Sequence, residues 1–217
     1  MRRLPFRHRR PVLAICFLLL VSVAGEAAAQ TAQPAPDPLL IEKLKRGGYN
    51  LYVRHAATDW SQSDKISAYG DWVSCDPGKI RQLSEEGRRV ARTMGAAFRA
   101  LGIRLGQVFA SPYCRTMETA QLMSGQDVEP TIDLMNLRSE AYVGGRDAVV
   151  ARARRRLSRR PADGVNDLFA AHGNLGRAAT GQSLSEGEIL VVKPMGNGRF
   201  DIVGTLTPMR LKTLTGP

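Results

Sequence analysis

The chain has 217 residues, of which 43% are hydrophobic and 24% charged, a balance that fits one globular domain with a buried core and argues against a disordered chain. The formal charge is +11 at pH 7, which leaves an anionic ligand as the natural partner. After the first thirty residues no apolar stretch reaches the ~20 residues that a membrane-spanning helix needs.

Arg2, Arg3, Arg7, Arg9 and Arg10 precede an apolar run over residues 12–23, and Ala27-Ala28-Ala29 supplies a small-residue cleavage site. The order predicts a secretory signal peptide over residues 1–29 and a periplasmic or secreted mature chain. The run is short for a permanent anchor, and Cys16 follows Ile15 rather than a small residue, which speaks against lipid attachment. Removing this segment takes away five arginines and Glu26 and leaves a formal charge of +7. Residues 30–38, with Pro34, Pro36 and Pro38, predict a flexible leader, so that a single domain spans 39–217.

Within the domain, residues 39–45 predict a short helix ending at Gly47-Gly48, and residues 49–53 a buried strand that delivers Arg54 and His55 at its end. Residues 58–81 are polar and aperiodic and predict a long loop over the strand ends. Ser84 caps a helix whose apolar positions Val90, Met94, Ala97 and Leu101 recur at helical spacing. A strand over 107–110 and the turn Ser111-Pro112 lead into a helix from about Arg115 to Met123, and a further strand is predicted over 128–134.

Residues 147–160 predict a basic helix stopped by Pro161, its arginines forming a solvated face. An apolar strand over 167–171 then delivers His172 and Gly173. Residues 188–193 and 199–205 predict a hairpin about Gly196-Asn197-Gly198. This alternation predicts an α/β fold, a three-layer α/β/α sandwich with a mostly parallel central sheet. In such sheets ligands bind outside the carboxyl ends of the strands, where Arg54-His55, the segment from Ser111 to Arg115 and His172-Gly173 all fall.

Phosphoryl transfer to a protein needs an unprotonated acceptor atom, cations around the nonbridging oxygens and a proton for the leaving oxygen. His55 offers the acceptor, Arg54 a planar fork of donors, and Arg115 a guanidinium at a helix start. Through Leu51-Tyr52-Val53-Arg54-His55-Ala56-Ala57-Thr58, Ser111-Pro112-Tyr113-Cys114-Arg115-Thr116-Met117-Glu118-Thr119-Ala120, Leu83-Ser84-Glu85-Glu86-Gly87-Arg88 and His172-Gly173, the sequence resembles the histidine phosphatase superfamily over roughly residues 48–195. The resemblance implies a phosphoglycerate-mutase-like phosphatase in which His55 is phosphorylated. It implies that Arg54 and Arg115 bind the phosphate together with His172, Thr58 and Gly173, and that no metal or cofactor is needed. Glu140 is the candidate proton donor, with Asp59, Asp64 and Asp76 as rivals. Ala56 stands where the family usually has glycine.

The expected substrate is a small phosphomonoester, an envelope phosphosugar being one candidate, and export argues against nucleic acid as a partner. The alternatives are a catalytically weak phosphate-binding module on the same fold and a mutase. Cys75 and Cys114, the two cysteines of the mature chain, are expected to pair in an oxidising compartment. Cys75-Asp76-Pro77-Gly78-Lys79-Ile80-Arg81 also matches the phosphate loop of cysteine-dependent phosphatases. That reading lacks a strand before the cysteine and a helix starting at the arginine, and it needs a free thiolate.

Overall fold

The six predicted strands meet in one mixed sheet. The computed structural model describes residues 39–215, so the predicted signal peptide and leader lie outside the described residues. The strands are β1 (Asn50–Arg54), β2 (Leu105–Ala110), β3 (Glu129–Pro130), β4 (Asn166–Ala171), β5 (Ile189–Gly196) and β6 (Arg199–Leu206). In the spatial order β3-β2-β4-β1-β5-β6, β4 runs parallel to both β1 and β2, and β3 parallel to β2. β5 runs antiparallel to β1, and β6 to β5.

Strand alternation sorts the side chains into two cores. Leu51, Val53, Val108, Ala110, Leu168 and Ala170 point to one face, which is covered by α1 (Leu40–Arg46), α2 (Glu85–Ala100), α3 (Cys114–Ser124) and α6 (Pro208–Thr215). Tyr52, Phe109, Phe169 and Ala171 point to the other, under α4 (Arg146–Leu157) and α5 (Gly173–Thr180). The result is the α/β/α layering expected from the alternation of elements. Among the described residues no helix is long and apolar enough to cross a membrane.

α2 begins as its sequence predicts, with the Ser84 hydroxyl accepting the N–H of Gly87 at 3.0 Å. Gly87 itself faces the backbone just after His55, and a Cβ there would stand 2.0 Å from the carbonyl oxygen of Ala57. The hairpin turns through Asn197 (φ 52°) and Gly198 (φ 73°), both in the left-handed region, as a two-residue type I′ turn requires.

Two predicted elements differ. The strand expected over 128–134 is only Glu129–Pro130, because Pro130 has no N–H to give to a ladder and the Thr131 hydroxyl accepts the N–H of Asp133, opening a 3-10 turn over Ile132–Leu134. The basic helix stops at Leu157 rather than at residue 160, since the hairpin captures Ser158: Gly196 N–H donates to its carbonyl and Gly198 N–H to its hydroxyl. Its arginines are not one solvated face. Arg152 and Arg156 pair with Asp133 at 3.1 and 2.8 Å, and Arg154 donates to the Ala179 carbonyl and stacks on Phe200, while Arg155, Arg159 and Arg160 are exposed. Helices α5 and α6, which are not among the predicted elements, complete the two helical layers.

Candidate active site

Because β1, β4 and β2 are parallel neighbours, their ends bring three segments together. His55 N–H donates to the Ala171 carbonyl at 2.9 Å and Ser111 N–H to the Ala170 carbonyl at 3.0 Å. The antiparallel β5 adds a fourth, since its entry lies where β1 ends and Gly187 N–H donates to the carbonyls of Arg54 and His55.

His55 is 4% exposed. Its Nδ1–H donates to its neighbour's carbonyl, Ala56 O, at 2.9 Å, which leaves the lone pair on Nε2. Burial, followed by the positive field of Arg115, drives its pKa down to about 3. The imidazole is therefore neutral and nucleophilic at ordinary pH. The methyl of Ala56, which stands where the resembled family usually has glycine, is buried in the core under α2 and α3.

His172 caps β4 and stands edge-on to His55, with ring centroids 5.6 Å apart. The Asn136 side-chain oxygen accepts the N–H of Arg138 at 3.0 Å, so its amide nitrogen is the atom 3.3 Å from His172 Nδ1 and donates to it. His172 Nε2–H is then the donor to Ser111 Oγ at 2.9 Å. Burial and the nearby Arg115 hold this ring well below its usual pKa as well. Tyr113 packs edge-on against it at 4.8 Å and bonds Ser139 Oγ at 2.7 Å, while the Tyr52 hydroxyl donates to its carbonyl at 2.7 Å.

Arg115 is fully buried. Its Nη1 and Nη2 grip Asp64 at 2.8 and 3.0 Å, and Nη1 also donates to the Arg81 carbonyl at 3.1 Å. Arg54 donates through Nη1 to the Leu184 carbonyl at 2.8 Å. Gly173 lies against it, so close that a Cβ would meet the Arg54 guanidinium at 3.2 to 3.3 Å. Arg81, whose guanidinium lies 4.0 Å above the Trp60 ring, adds positive charge. In all three arginines the Nε is buried without a hydrogen-bond partner. Such donors are costly to bury unless an anion meets them.

The structure thus brings Arg54, His55, Arg115, His172 and Gly173 together. Thr58 joins them indirectly, donating at 3.0 Å to Glu186 Oε1, which lies 3.7 Å from Arg54 Nη2 and 4.0 Å from His55 Nδ1. Glu140 is not in contact with His55. It sits in the 3-10 segment Leu137–Val143, 3.9 Å from Arg146, with one buried carboxyl oxygen that has no hydrogen-bond partner. Its three rivals are otherwise engaged: Asp64 binds Arg115, Asp59 binds Ser61 and Gln62, and Asp76 accepts the N–H of Gly78.

Cys75 and Cys114 form a disulfide, with Cα atoms 5.4 Å apart. Cys75 is therefore no thiolate, and neither a strand before it nor a helix at Arg81 builds the cysteine-phosphatase loop. Glu186 and Asn136 are not among the residues that the sequence motifs mark, Arg81 enters only as the arginine of the cysteine-phosphatase pattern, and Ser111 only as the start of the segment leading to Arg115. For Glu186 a signal existed: a hairpin strand entering antiparallel to β1 must start at the catalytic edge.

The model of the histidine phosphatase superfamily (branch 1) matches residues 51–181. Among solved structures, the chain is similar to the protein histidine phosphatase SixA complexed with tungstate, at 17% identity and a TM-score of 0.53 over 76% of this chain and 99% of that one. It is also similar to a variant of phosphoserine phosphatase from Entamoeba histolytica in complex with phosphoserine, at 14% identity and a TM-score of 0.50 over 76% and 99% of the two chains. At these identities the likeness speaks for the fold alone. No curated protein matches the chain. The matched stretch covers more than half of the sequence and holds both strand-end histidines with Arg54 and Arg115, and the chain belongs to branch 1 of the histidine phosphatase superfamily.

Proposed function

We propose that the chain is an exported phosphatase that hydrolyses small phosphomonoesters through a phosphohistidine on His55. The observation that carries this reading is the donation of His55 Nδ1–H to the Ala56 carbonyl, which leaves Nε2 unprotonated beside three unpartnered guanidinium N–H groups. In the first step Nε2 bonds to phosphorus and the ester P–O bond breaks, with the leaving oxygen taking a proton from a carboxylic acid of the protein. In the second, water bonds to phosphorus, the N–P bond breaks and the proton from water passes to the carboxylate. Arg54 and Arg115 neutralise the oxygens throughout, and the neutral His172 offers them a hydrogen bond.

The proton must come from beyond phosphorus, in line with Nε2. Glu186 faces Nδ1, the other ring nitrogen, and so suits orienting His55 and balancing its charge after phosphorylation. Glu140 is the proposed acid. Its segment runs past His172, through Asn136 and through Ser139 against Tyr113. Export rests on the predicted signal peptide and accords with the disulfide. The substrate class, envelope phosphosugars included, is to be found by screening the mature protein against phosphorylated sugars, nucleotides and phosphopeptides. Trapping an acid-labile, base-stable phosphoenzyme that is lost in His55→Ala supports the mechanism. Phosphate binding without turnover across that panel would favour the binding-module reading.

A further inference from the structure

The long loop carries a carboxylate onto the buried Arg115. Asp64 accepts from both terminal nitrogens of the buried Arg115 and, through Oδ1, from the backbone N–H of Arg81 at 3.1 Å. The Arg81 carbonyl in turn accepts from Arg115 Nη1. These contacts close a ring that fixes the guanidinium plane of Arg115 and uses up its terminal edge, so that only the Nε side is left unpartnered. A bidentate pair constrains direction as well as distance.

The ring holds its place because the loop is tied on every side. Lys65 N–H donates to the Lys79 carbonyl at 2.8 Å and Asp59 N–H to the Gln82 carbonyl at 3.1 Å. Gln82 N–H donates to Gln62 Oε1 at 3.0 Å, and the disulfide joins Cys75 to Cys114, the neighbour of Arg115. Burial would push the Asp64 carboxyl pKa up, but the hydrogen bonds and charge of Arg115, with the N–H of Arg81, outweigh it and hold the group below its usual range. Asp64 is thus an anion beside an anion site.

We propose that Asp64 is a positioning residue of the phosphate pocket, fixing Arg115 and the adjoining Arg81 in the orientation that receives the phosphoryl group. The proposal rests on the phosphatase reading above and makes a prediction of opposite sign to simple electrostatics. A negative charge that only sat near the pocket would weaken phosphate binding, and its removal would tighten it. A carboxylate that orients Arg115 gives the reverse.

The test compares the oxidised mature chain with Asp64→Asn and Asp64→Glu, measuring inorganic phosphate binding by calorimetry and p-nitrophenyl phosphate hydrolysis. In Asp64→Asn the phosphate Kd is expected to rise about tenfold or more, and kcat/KM to fall by at least as much. Asp64→Glu keeps the buried charge pair, and so the fold, but displaces the carboxylate by one methylene. Its Kd is expected to lie between the other two, about threefold above the parent or more. Parent-like or tighter phosphate binding in either variant overturns the proposal. If Asp64→Asn does not fold, Asp64→Glu alone decides. If the parent hydrolyses nothing, the phosphatase reading fails while the phosphate Kd values still judge Asp64.

Discussion

The pocket is assembled from two kinds of support. Arg54, His55 and His172 stand at the ends of β1 and β4, where ladder hydrogen bonds fix the backbone, and Gly87 presses α2 against the next turn of chain. Asp64 and Arg81 arrive on the loop between β1 and α2, which has one short 3-10 turn at Asp71–Val73 and is secured by side-chain hydrogen bonds and the disulfide. Arg115 belongs to both, rooted on α3 and gripped by the loop. Strand ends place the proposed nucleophile, whereas the loop grips the cation proposed to meet the phosphate.

The sharpest way to break this comparison is to remove one member from each side. His55→Ala should abolish the phosphoenzyme and lower turnover by about 10³ or more, measured by trapping and steady-state assay, with the fold intact. Arg115→Lys, which keeps charge but loses the planar fork, should lower kcat/KM about 100-fold and leave the Asp64 carboxylate poorly matched. A loss under about threefold would mean that the loop's grip on Arg115 does not matter.

The next test acts on the loop as a whole. Replacing Cys75 and Cys114 by serine should cost about 4 kcal/mol of stability, read from denaturant unfolding, if the chain-entropy account of a cross-link holds. Weaker phosphate binding in the folded fraction should accompany it, whereas unchanged binding would make the staple a matter of stability only. Glu186→Gln should lower kcat by about tenfold or less, since it balances charge without touching phosphorus. An effect as large as that of His55→Ala would move Glu186 into the proton-transfer role.

The smallest effect concerns acid. His55 and His172 titrate in the folded protein far below 6.5, their ordinary value. As pH falls below 6.5 the unfolded chain takes up these protons and the folded one does not, so stability drops progressively toward about pH 3. The Tm should fall between pH 6.5 and about 4.5, before carboxylates titrate, and fall less in His55→Ala. A Tm that stays level across that window would mean that the two imidazoles are less shielded than their burial implies.

The division between strand ends and loop also governs what could be read in the sequence. β1 and β4 are short apolar runs closed by a histidine, so the position of His55 and His172 followed from strand periodicity and the binding rule for parallel sheets. Ser84 announced α2 by its capping chemistry. The partners of Asp64, Arg81 and Glu186 lie 51, 34 and 128 residues away in the chain, so no local pattern marks these contacts, and only the place of Glu186 at the start of the hairpin hints at its position. The short β3 escaped for the opposite reason: its flanking residues have strand-like composition, but Pro130 and the Thr131 cap decide locally against a ladder. Glu140 was found by its place between Arg115 and His172, a criterion that says nothing about which way a carboxylate faces.

Gly87 sets a limit on how relatives of this chain can drift. The space between α2 and the Ala57 carbonyl admits a hydrogen atom and no methyl group, so position 87 acts as a gauge for the separation of helix and catalytic strand. Exposed stretches of the loop can lengthen, shorten or change composition at little thermodynamic cost, and in doing so can reshape what enters the pocket. Variation in substrate can accumulate on one side of His55 while the other side stays frozen at a single residue.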